Sequence, residues 1–326
     1  MVRVLITGGT GSLGQALVKA WLPRTDVEYI AIYSRDELKQ AQMRERFSDS
    51  KLNFRLGDVR DISRLKLAFY GIDTVIHAAA LKRVDATAND PLELVKTNIV
   101  GTSNVLQASL SAGVARTLLI SSDKACLPAN AYGASKFMAE QLATQFNVYG
   151  APQGSLSSVV RYGNVLFSRG SVLHTWIQQI ARNEPLTLTA EGMTRFLITM
   201  RQAIALIEEA LVSMEGGEVF VPTLPACTME NLSSALVDER NAIERHYVGL
   251  RPGGEKMHEV LLSAEEAAHA IELRGKTIIL PHSATWREKS VWVQKPSAAP
   301  FDRSSETAQR LSVNELRELL NVGAGL

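Results

Sequence analysis

The sequence has few of the residues that build disulfide or metal frameworks. Among its 326 residues only two are cysteines, Cys126 and Cys227, too few for a framework and not spaced as a CxxC pair. The six histidines do not form the i, i+4 pairs that hold zinc on a helix. We therefore expect no structural disulfide and no metal site.

The chain also has neither a charge excess of one sign nor a long apolar run. Its 35 basic and 34 acidic residues give a formal net charge of +1, unlike the basic surface of a protein that binds nucleic acid or acidic membranes. No segment reaches membrane-spanning length, and the amino terminus leads into a strand-like run rather than a signal peptide. These features predict a cytoplasmic protein with a small soluble partner, no nucleic acid and no membrane.

What the sequence does have is an alternation of apolar runs with amphipathic stretches. The strand-like runs are VRVLIT, YIAIYS, NFRLGD, TVIHAA, RTLLISS and LSSVVRY. Helical stretches separate them, as in repeated βαβ units. The sequence therefore predicts an α/β fold: a doubly wound parallel Rossmann sheet of six strands with a smaller C-terminal substrate-binding lobe.

The alternation loosens after the sixth strand. We expect residues 1–165 to form the Rossmann domain and residues 166–326 to form mainly the smaller lobe, with the chain returning to the sheet around residues 190–222. Helical periodicity predicts further helices over 201–213, 229–237 and 312–320. The segment 295–306, rich in Pro, Ser and Ala, is closest in composition to a linker.

A glycine-rich turn follows the first strand. TGGTGSLG, residues 7–14, spaces Gly8, Gly11 and Gly14 three apart, directly before the first predicted helix. Such glycines permit a tight turn and a close approach of the backbone to a pyrophosphate at a helix N-terminus. Ordinary turns also use glycine, but a strand before and a helix after favour a dinucleotide site.

The end of the second strand bears on which dinucleotide is bound. NAD sites usually carry an acidic residue there, which binds the ribose hydroxyls. This chain has Ser34 and Arg35 instead, and a hydroxyl with a guanidinium suits a 2′-phosphate. We predict NADP rather than NAD, although Arg35 is also compatible with a solvated residue at a helix start. Asp58, after the third strand, is placed either to meet the adenine or to cap a helix.

The segment SSDKACLPANAYGASK, residues 121–136, collects several reactive side chains. Tyr132 and Lys136 lie one helical turn apart, where an ammonium can lower the pKa of a phenol. Ser122, at the end of the fifth strand, can hydrogen-bond a reacting hydroxyl. On an isolated helix YxxxK is usually structural, but in a chain that begins with TGGTGSLG it indicates nicotinamide-dependent oxidation of a secondary alcohol.

With further motifs, these residues resemble the extended short-chain dehydrogenase/reductases. The motifs are TGGTGSLG, YSRDELKQ, GDVRD, HAAALKRV, KTNIVGT, SSDKA, AYGASK, RYGNVLFSRGSV, MTRFLIT and RPGGEKMHE. They are most similar to the soluble UDP-N-acetylglucosamine 4,6-dehydratases of the polysaccharide biosynthesis protein family, including the C5-inverting type that starts pseudaminic acid synthesis. The resemblance covers nearly the whole chain and implies a homo-oligomer.

The resemblance implies a catalytic role for Asp123 and Lys124, a pair that a simple dehydrogenase does not need. After oxidation at C4, a dehydratase must remove the C5 proton and expel the C6 hydroxyl. The resemblance implies Lys124 as the base and Asp123 as the acid, with hydride return to C6 giving a 4-keto-6-deoxy sugar. The alternative is that Asp123 caps a turn and Lys124 is solvated.

The implied site is extensive. Its catalytic residues are Ser122, Asp123, Lys124, Tyr132 and Lys136. Cofactor contacts are expected from Gly8, Thr10, Gly11, Ser12, Leu13, Gly14, Ser34, Arg35, Asp58, Val59, Ala78, Ala79, Ala80, Lys82, Asn98, Tyr132 and Lys136. Substrate contacts are expected from Lys82, Asn164, Ser168, Arg169, Ser171, Arg195, Arg251 and Glu255. Arg195 and Arg251 are favoured for the diphosphate, because a guanidinium is permanently charged and bonds two oxygens at once.

Some positions depart from the family pattern. RPGGEKMHE has an additional glycine, SRGSV continues as LHTW, and Cys126 lies inside the catalytic segment, where a small buried filler is the simplest interpretation. Two other functions therefore stay open. A nucleotide-sugar 4-epimerase would use Ser122, Tyr132 and Lys136 without needing the Asp-Lys pair, and a non-catalytic NADP-binding protein would act through partners.

Overall fold

The chain alternates short strands with helices over most of its length. A computed structural model describes residues 1–82, 90–237, 243–273, 275–286, 292 and 303–324. The strands in these residues are β1 (Val2–Thr7), β2 (Val27–Ser34), β3 (Leu52–Leu56), β4 (Thr74–His77), β5 (Arg116–Ile120), β6 (Leu156–Val160), β7 (Asn164–Val165), β8 (Leu186–Leu188), β9 (Thr194–Ile198), β10 (Val219–Pro222), β11 (Ala226–Thr228), β12 (Arg245–Tyr247), β13 (Val260–Leu262), β14 (Ala270–Leu273), β15 (Lys276–Ile279) and β16 (Arg303–Ser304).

The helices of the described residues are α1 (Ser12–Trp21), α2 (Glu37–Arg46), α3 (Ile62–Phe69), α4 (Pro91–Leu94), α5 (Gly101–Ala112), α6 (Ala131–Gln145), α7 (Asn147–Gly150), α8 (Val172–Ala181), α9 (Met200–Ser213), α10 (Met229–Leu236), α11 (Ala264–Ala267) and α12 (Val313–Ala324). A π-helical segment, Val95–Val100, joins α4 to α5, and 3₁₀ turns form at Asp123–Ala125 and Ala151–Gln153. None of the helices in this described part is long and apolar enough to cross a bilayer.

Side-chain caps fix where several helices begin. Asp36 accepts from the backbone N–H of Lys39 at the start of α2, and Asn130 accepts from Gly133 at the start of α6. Thr199 forms a capping box with Gln202 at the start of α9. Each cap satisfies an N–H that the helix leaves unpaired, which is worth about 1 kcal/mol.

The predicted doubly wound Rossmann sheet is confirmed. Its strand order is β14-β15-β10-β6-β5-β4-β1-β2-β3 in the described residues. Strand β1 pairs in parallel with both β2 and β4, so the order of the strands reverses there. In sheets of this kind, ligands bind outside the carboxyl ends of the strands at the reversal. The carboxyl end of β1 is the TGGTGSLG turn.

The sheet has nine strands rather than the six predicted. The additional strand β10 pairs in parallel with β6, and β15 pairs antiparallel with both β10 and β14. Strand β10 lies in the 190–222 segment that was expected to return to the sheet. Strands β14 and β15 are four residues each, too short for a clear period-2 pattern.

Both faces of the sheet are covered, as parallel strands require. Along β1, Val4 and Ile6 pack into one apolar cluster with Leu17 of α1 and Ile207 of α9, whereas Leu5 packs into a second cluster on the opposite face. The second cluster contains Leu65 and Phe69 of α3 and Val105 of α5.

The C-terminal half has an apolar cluster of its own, and buried charges join α6, the end of β6 and α11. Its cluster contains Trp176 of α8 and Leu316 of α12. Arg161, which follows β6, pairs with Glu140 of α6 at 2.5 Å and with Glu266 of α11 at 2.7 Å. Because Arg161 and Glu140 are almost wholly buried, removal of one partner would leave an uncompensated buried charge.

Most of the predicted linker at 295–306 lies outside the described residues. Its end does not behave as a linker, since β16 pairs antiparallel with β13. The two cysteines are buried free thiols, and Cys126 donates to Glu266 at 3.5 Å.

Candidate active site

The TGGTGSLG turn leaves no room for side chains at its glycines. Gly8 has φ +66°, and a Cβ there would lie 2.8 Å from the Cα of Ala79. A Cβ on Gly14 would lie 2.2 Å from the carbonyl oxygen of Gly9. The backbone N–H of Gly11 donates to the Gly8 carbonyl, and α1 begins at Ser12. A bare backbone turn that opens a helix in this way fits a pyrophosphate.

The carboxyl ends of β2 and β3 lie beside this turn. The hydroxyls of Thr10 and Ser34 are 3.0 Å apart. Arg35 is about half exposed, and its guanidinium is 3.6 Å from the Asp58 carboxylate. Burial raises the pKa of Asp58, but the Arg60 guanidinium outweighs it and holds the pKa below its ordinary value. The predicted adenosine side of the site is thus an exposed arginine next to an ionised aspartate, with Val59 buried behind it.

The end of β4 forms the floor of the turn. The backbone N–H of Ala78 donates to the Thr7 carbonyl, and that of Ala79 donates to the Thr7 hydroxyl. The same hydroxyl is 2.7 Å from Nδ1 of His77, whose Nε2 is 3.0 Å from the Thr102 hydroxyl. His77 is buried, which lowers its pKa to about 3. It is therefore a neutral hydrogen-bonding link beneath the site.

Asn98 joins three elements at the π-helical segment. Its Oδ1 accepts from the backbone N–H of Leu81 at 2.8 Å, and its Nδ2 donates to the Leu81 carbonyl and to the Ser135 hydroxyl, each at 2.9 Å. Ser135 in turn donates to the Tyr132 carbonyl. A π-helical insertion changes the direction of the side chains around it. Here the segment carries the Asn98 amide. This amide positions both the helix that carries Tyr132 and the chain at Ala80 and Leu81.

The 3₁₀ turn after β5 brings three predicted catalytic residues into contact. Ser122 donates to Oδ1 of Asp123 at 2.8 Å, and Nζ of Lys124 donates to the same oxygen at 2.9 Å. Asp123 is fully buried. No hydrogen-bond partner of its Oδ2 occurs among the described residues. Asp123 is therefore the centre of the group, not a surface cap.

Lys124 has a second carboxylate partner that the sequence did not single out. Nζ is 3.2 Å from Oε1 of Glu259, the last residue of RPGGEKMHE. Burial lowers the pKa of Lys124, but Asp123 and Glu259 outweigh it and raise the pKa above its ordinary value. Lys124 is an ammonium ion in this arrangement, not a solvated surface lysine.

Tyr132 and Lys136 lie on one face of α6, but they have different partners. Burial raises the pKa of Tyr132, and the largest opposing effect comes from Lys124 rather than from Lys136. The ammonium of Lys136 donates to the Ile120 carbonyl at 2.6 Å, and burial lowers its pKa to about 8. The predicted electrostatic effect on the phenol thus comes, in this structure, from the lysine of the Asp-Lys pair.

The two arginines favoured for a diphosphate meet at Glu255. Nη2 of Arg195 is 3.1 Å from Oε1 of Glu255, and Nη1 donates to the carbonyls of Thr194 and Met257. Arg195 is buried, whereas Arg251 is about half exposed with Nε 3.6 Å from Oε2 of Glu255. Arg195 therefore anchors Glu255, and Arg251 is the guanidinium open to a ligand.

A concave surface connects these residues to the catalytic turn. It is lined by Lys124, Ala129, Asn130, Arg251, Gly254, Glu255, Lys256 and Glu259. The doubled glycine of RPGGEKMHE contributes to its shape. Gly253 and Gly254 both have positive φ, and a Cβ on Gly254 would lie 2.4 Å from the Ala129 carbonyl oxygen. Nδ2 of Asn130 donates to the Gly254 carbonyl at 2.7 Å.

The segment after β7 lies against the glycine turn. The backbone N–H of Arg169 donates to the Ser12 hydroxyl at 3.0 Å, and Nη1 of Arg169 donates to the Thr10 carbonyl at 3.3 Å. Nζ of Lys82 donates to the Arg169 carbonyl at 2.6 Å. The structure therefore brings Arg169 to the predicted cofactor turn, away from Arg195 and Arg251.

The other polar residues of this segment divide between the two ends of the site. Asn164 lies on the catalytic side, with Oδ1 3.4 Å from Nζ of Lys124. Ser168 and Ser171 form a backbone turn before α8. The Ser171 hydroxyl is buried and has no hydrogen-bond partner within the described part of the chain.

The residues around the catalytic turn combine two hydroxyls with a carboxyl and an amine. Ser122 and Tyr132 are the hydroxyl groups at the end of β5 and the start of α6. Asp123 and Lys124 add a carboxyl and an amine that exchange one hydrogen bond. Hydride removal needs only hydroxyls of this kind, whereas the additional pair suits a proton transfer at a neighbouring carbon.

Comparison with known proteins shows the family of the chain. A family model described as polysaccharide biosynthesis protein matches residues 4–281. A UDP-glucose 4-epimerase of Rickettsia prowazekii is 38% identical over 97% of this chain and 94% of its own length. A UDP-N-acetylglucosamine 4,6-dehydratase (inverting) of Campylobacter jejuni is 39% identical over 86% of this chain and 83% of its own length.

Among solved structures, the X-ray structure of Pen from Bacillus thuringiensis is similar over 98% of this chain and 97% of that chain. The TM-score is 0.90 at 34% sequence identity. With a family model that spans most of the sequence and relatives that match nearly all of it, the chain belongs to the polysaccharide biosynthesis protein family, within the extended short-chain dehydrogenase/reductases.

Proposed function

We propose that the protein is an NADP-dependent nucleotide-sugar 4,6-dehydratase that acts on UDP-N-acetylglucosamine and inverts C5. The observation that carries this proposal is the buried Asp123, hydrogen-bonded to both Ser122 and Lys124. A 4-epimerase needs the serine, Tyr132 and Lys136, but it has no use for a buried acid beside an amine. The inverting dehydratase of Campylobacter jejuni supports the same choice.

The hydrogen bond between Asp123 and Lys124 provides the two protonation states that dehydration needs. Transfer of one proton from the Lys124 ammonium to Asp123 leaves a neutral amine and a carboxylic acid. The amine then takes the C5 proton while Asp123 gives its proton to the departing C6 hydroxyl, which leaves as water. Both residues return to the ion pair, so the elimination balances without another base.

Tyr132 and Ser122 act on the C4 hydroxyl. Tyr132 takes its proton as a phenolate, a form that the Lys124 charge and a Ser122 hydrogen bond favour against burial, and Ser122 fixes the oxygen next to it. NADP would supply the hydride acceptor for C4 and the hydride donor for C6. As hydride reaches C6, the Lys124 ammonium gives a proton to C5, and the amine regains one from solvent. Lys136, buried behind Tyr132 at the Ile120 carbonyl, is the residue suited to a ribose hydroxyl.

NADP is proposed over NAD because of the end of β2. Ser34, the last residue of the strand, places a buried hydroxyl beside Thr10, and Arg35 after it presents a half-exposed guanidinium. A 2′-phosphate gains a charge-assisted hydrogen bond there. Arg251, the more exposed of the two lobe arginines, is proposed to bind the substrate diphosphate with Glu255 as its positioning partner. A homo-oligomer stays a prediction.

The reaction in deuterated water tests the proposal without any variant. A dehydratase exchanges the C5 proton with solvent through Lys124, so the product should carry deuterium at C5 and a methyl group at C6. The hydrogen that began at C4 should be retained at C6. NMR of the product also reads the configuration at C5: a labelled but uninverted carbon would keep the dehydratase and reject the inversion.

A nucleotide-sugar 4-epimerase is the second candidate, because the Rickettsia prowazekii relative carries that name and matches 97% of the chain. An epimerase returns hydride to C4 and leaves the C6 hydroxyl in place. Product with C4 inverted and no deuterium on carbon would favour it. Binding of NADP without turnover of any nucleotide-sugar would instead favour a non-catalytic protein.

A further inference from the structure

Glu259 reaches the catalytic turn from the other lobe. It directly precedes β13, is 2% exposed, and lies with Oε1 3.2 Å from Nζ of Lys124. Its backbone N–H donates to the Ser305 hydroxyl at 2.9 Å, and its carbonyl accepts from the Ser305 N–H at 2.8 Å. Ser305 is itself held by the Thr194 hydroxyl at 2.7 Å. The backbone at Glu259 is therefore fixed by contacts that are independent of Lys124.

The second oxygen of Glu259 is poorly compensated. Oε2 is buried and no hydrogen-bond partner for it occurs among the described residues, although Nζ of Lys256 is 3.6 Å away. A buried carboxylate without full hydrogen bonding costs several kcal/mol of desolvation. An apolar residue would fill the same position at no such cost, so the carboxylate points to a role in the site.

Lys124 is surrounded by groups of opposite effect. Asp123 at 2.9 Å and Glu259 at 3.2 Å favour its ammonium form, and Arg195 opposes it. Asn164 offers a neutral acceptor at 3.4 Å. The same two groups act on Tyr132, since Lys124 lowers its pKa and Glu259 raises it. When Asp123 becomes a neutral acid, Glu259 is the carboxylate left in contact with the lysine.

We propose that Glu259 is a positioning residue for the base: it orients the Lys124 amine and stabilises the ammonium that forms as the amine takes the C5 proton. The inference rests on the proposed dehydratase function. The Asp123 carboxylate serves as counter-ion at rest and as acid during elimination, and it cannot do both at once. Glu259 supplies the counter-charge during elimination, after which the Asp123–Lys124 ion pair is restored.

The test is Glu259→Gln, which keeps size and removes charge. A hydrogen bond to a charged group is worth about 1.5–3 kcal/mol, so kcat for dehydration should fall by about 10- to 100-fold. KM should stay within a few-fold. NADPH should accumulate transiently, and deuterium should enter C5 more slowly. Because loss of the carboxylate lowers the pKa of Lys124, the pair loses its shared proton at lower pH, and the limb on which activity falls with rising pH should move to lower pH.

Two further variants separate positioning from folding. Glu306→Gln is the matched control, since its side chain is 59% exposed next to His258, and it should keep the parent rate and pH profile. Glu259→Asp keeps the charge at a greater distance and should lose less activity than Gln, with the pH limb near that of the parent. If Gln fails to fold by circular dichroism, the Asp variant decides: a parent rate would overturn the inference.

The parent protein distinguishes the two levels of the proposal. If it puts no deuterium at C5 and leaves the C6 hydroxyl intact, the dehydratase function is rejected, whatever Glu259 does. The other result is that the parent dehydrates and a folded Glu259→Gln variant has the same kcat and the same pH profile as the parent. In that case the role of Glu259 is overturned while the function stands.

Discussion

The backbone N–H of Arg169 donates to the Ser12 hydroxyl at 3.0 Å, which joins the segment after β7 to the first turn of α1. The Arg169 guanidinium reaches the Thr10 carbonyl, and Lys82 holds the Arg169 carbonyl from the other side. The Arg169 guanidinium thus lies at the glycine turn, where the dinucleotide pyrophosphate is proposed to bind, and Lys82 is joined to it through the Arg169 carbonyl. Arg169 was predicted as a substrate residue from its motif, but its contacts favour a cofactor role.

Arg169→Ala should weaken NADP binding in the absence of substrate. Loss of a charge-assisted hydrogen bond predicts about a 10- to 100-fold higher Kd, measured by fluorescence titration. At saturating NADP the KM for nucleotide-sugar should change little. Arg182→Ala, at the exposed end of α8, is the control with the same loss of charge. A raised substrate KM with unchanged NADP affinity would return Arg169 to the substrate.

Arg35→Asp should reverse the cofactor preference. The substitution removes a cation from the end of β2 and adds a carboxylate that repels a 2′-phosphate, while ribose hydroxyls accept it as in NAD sites. The Kd of NADP should rise by at least about 10-fold more than that of NAD. Arg44→Asp makes the same charge change on α2, where Arg44 lies over Phe54, and should affect both cofactors equally. Equal weakening by Arg35→Asp would contradict the NADP assignment.

Tyr132→Phe and the double substitution Asp123→Asn with Lys124→Ala should stop the reaction at different points. Without the phenol, C4 is not oxidised and no NADPH appears. Without the acid and base, oxidation proceeds more slowly, because Lys124 no longer favours the Tyr132 phenolate, and water is not lost. Rapid mixing with nucleotide-sugar should therefore give transient NADPH absorbance only for the double variant. Product formation by that variant at the parent rate would show that the Asp-Lys pair is not needed.

His77 should make the protein sensitive to mild acid. Its pKa is about 3 in the fold, against an ordinary value of 6.5, so below pH 6.5 the unfolded chain binds a proton that the folded chain does not. The free energy of unfolding should fall by about 1.4 kcal/mol per pH unit in that range, or about 2 kcal/mol between pH 7 and pH 5. Urea unfolding of a His77→Gln variant should lack this part of the loss.

The exposed His246→Gln variant controls for that measurement, since its side chain is 54% exposed. Its stability should fall between pH 7 and pH 5 as much as that of the parent. An equal fall in the His77→Gln variant would contradict a buried neutral His77.

Local patterns predicted what short-range geometry determines. The glycine turn, Ser122 beside Asp123 and Lys124, and the helix carrying Tyr132 all depend on residues that are neighbours in sequence, so motif spacing was sufficient. The parallel order of the first six strands followed from the βαβ alternation.

Contacts between segments that are distant in sequence could not be predicted from motif spacing. Glu259 meets Lys124 only because Ser305 and Thr194 hold the start of β13 against the catalytic turn. The RPGGEKMHE motif contained Glu259, but nothing in its spacing indicates which of its charges faces inward. The edge strands β14 and β15 were missed because each has four residues and only two residues separate them, too few for a helix.

The order in which the sheet is assembled has a consequence for synthesis. Strand β6 is flanked on one side by β5 but on the other by β10, and α9 packs on the same face as α1. When only residues 1–165 of the nascent chain have left the ribosome, the sheet therefore has an unpaired edge at β6 and an uncovered apolar face. Unpaired edges and exposed apolar surface are what chaperones recognise and what promotes aggregation. The nucleotide-binding half can close its edge only after the first part of the other lobe has been translated, so the two halves of this protein mature together.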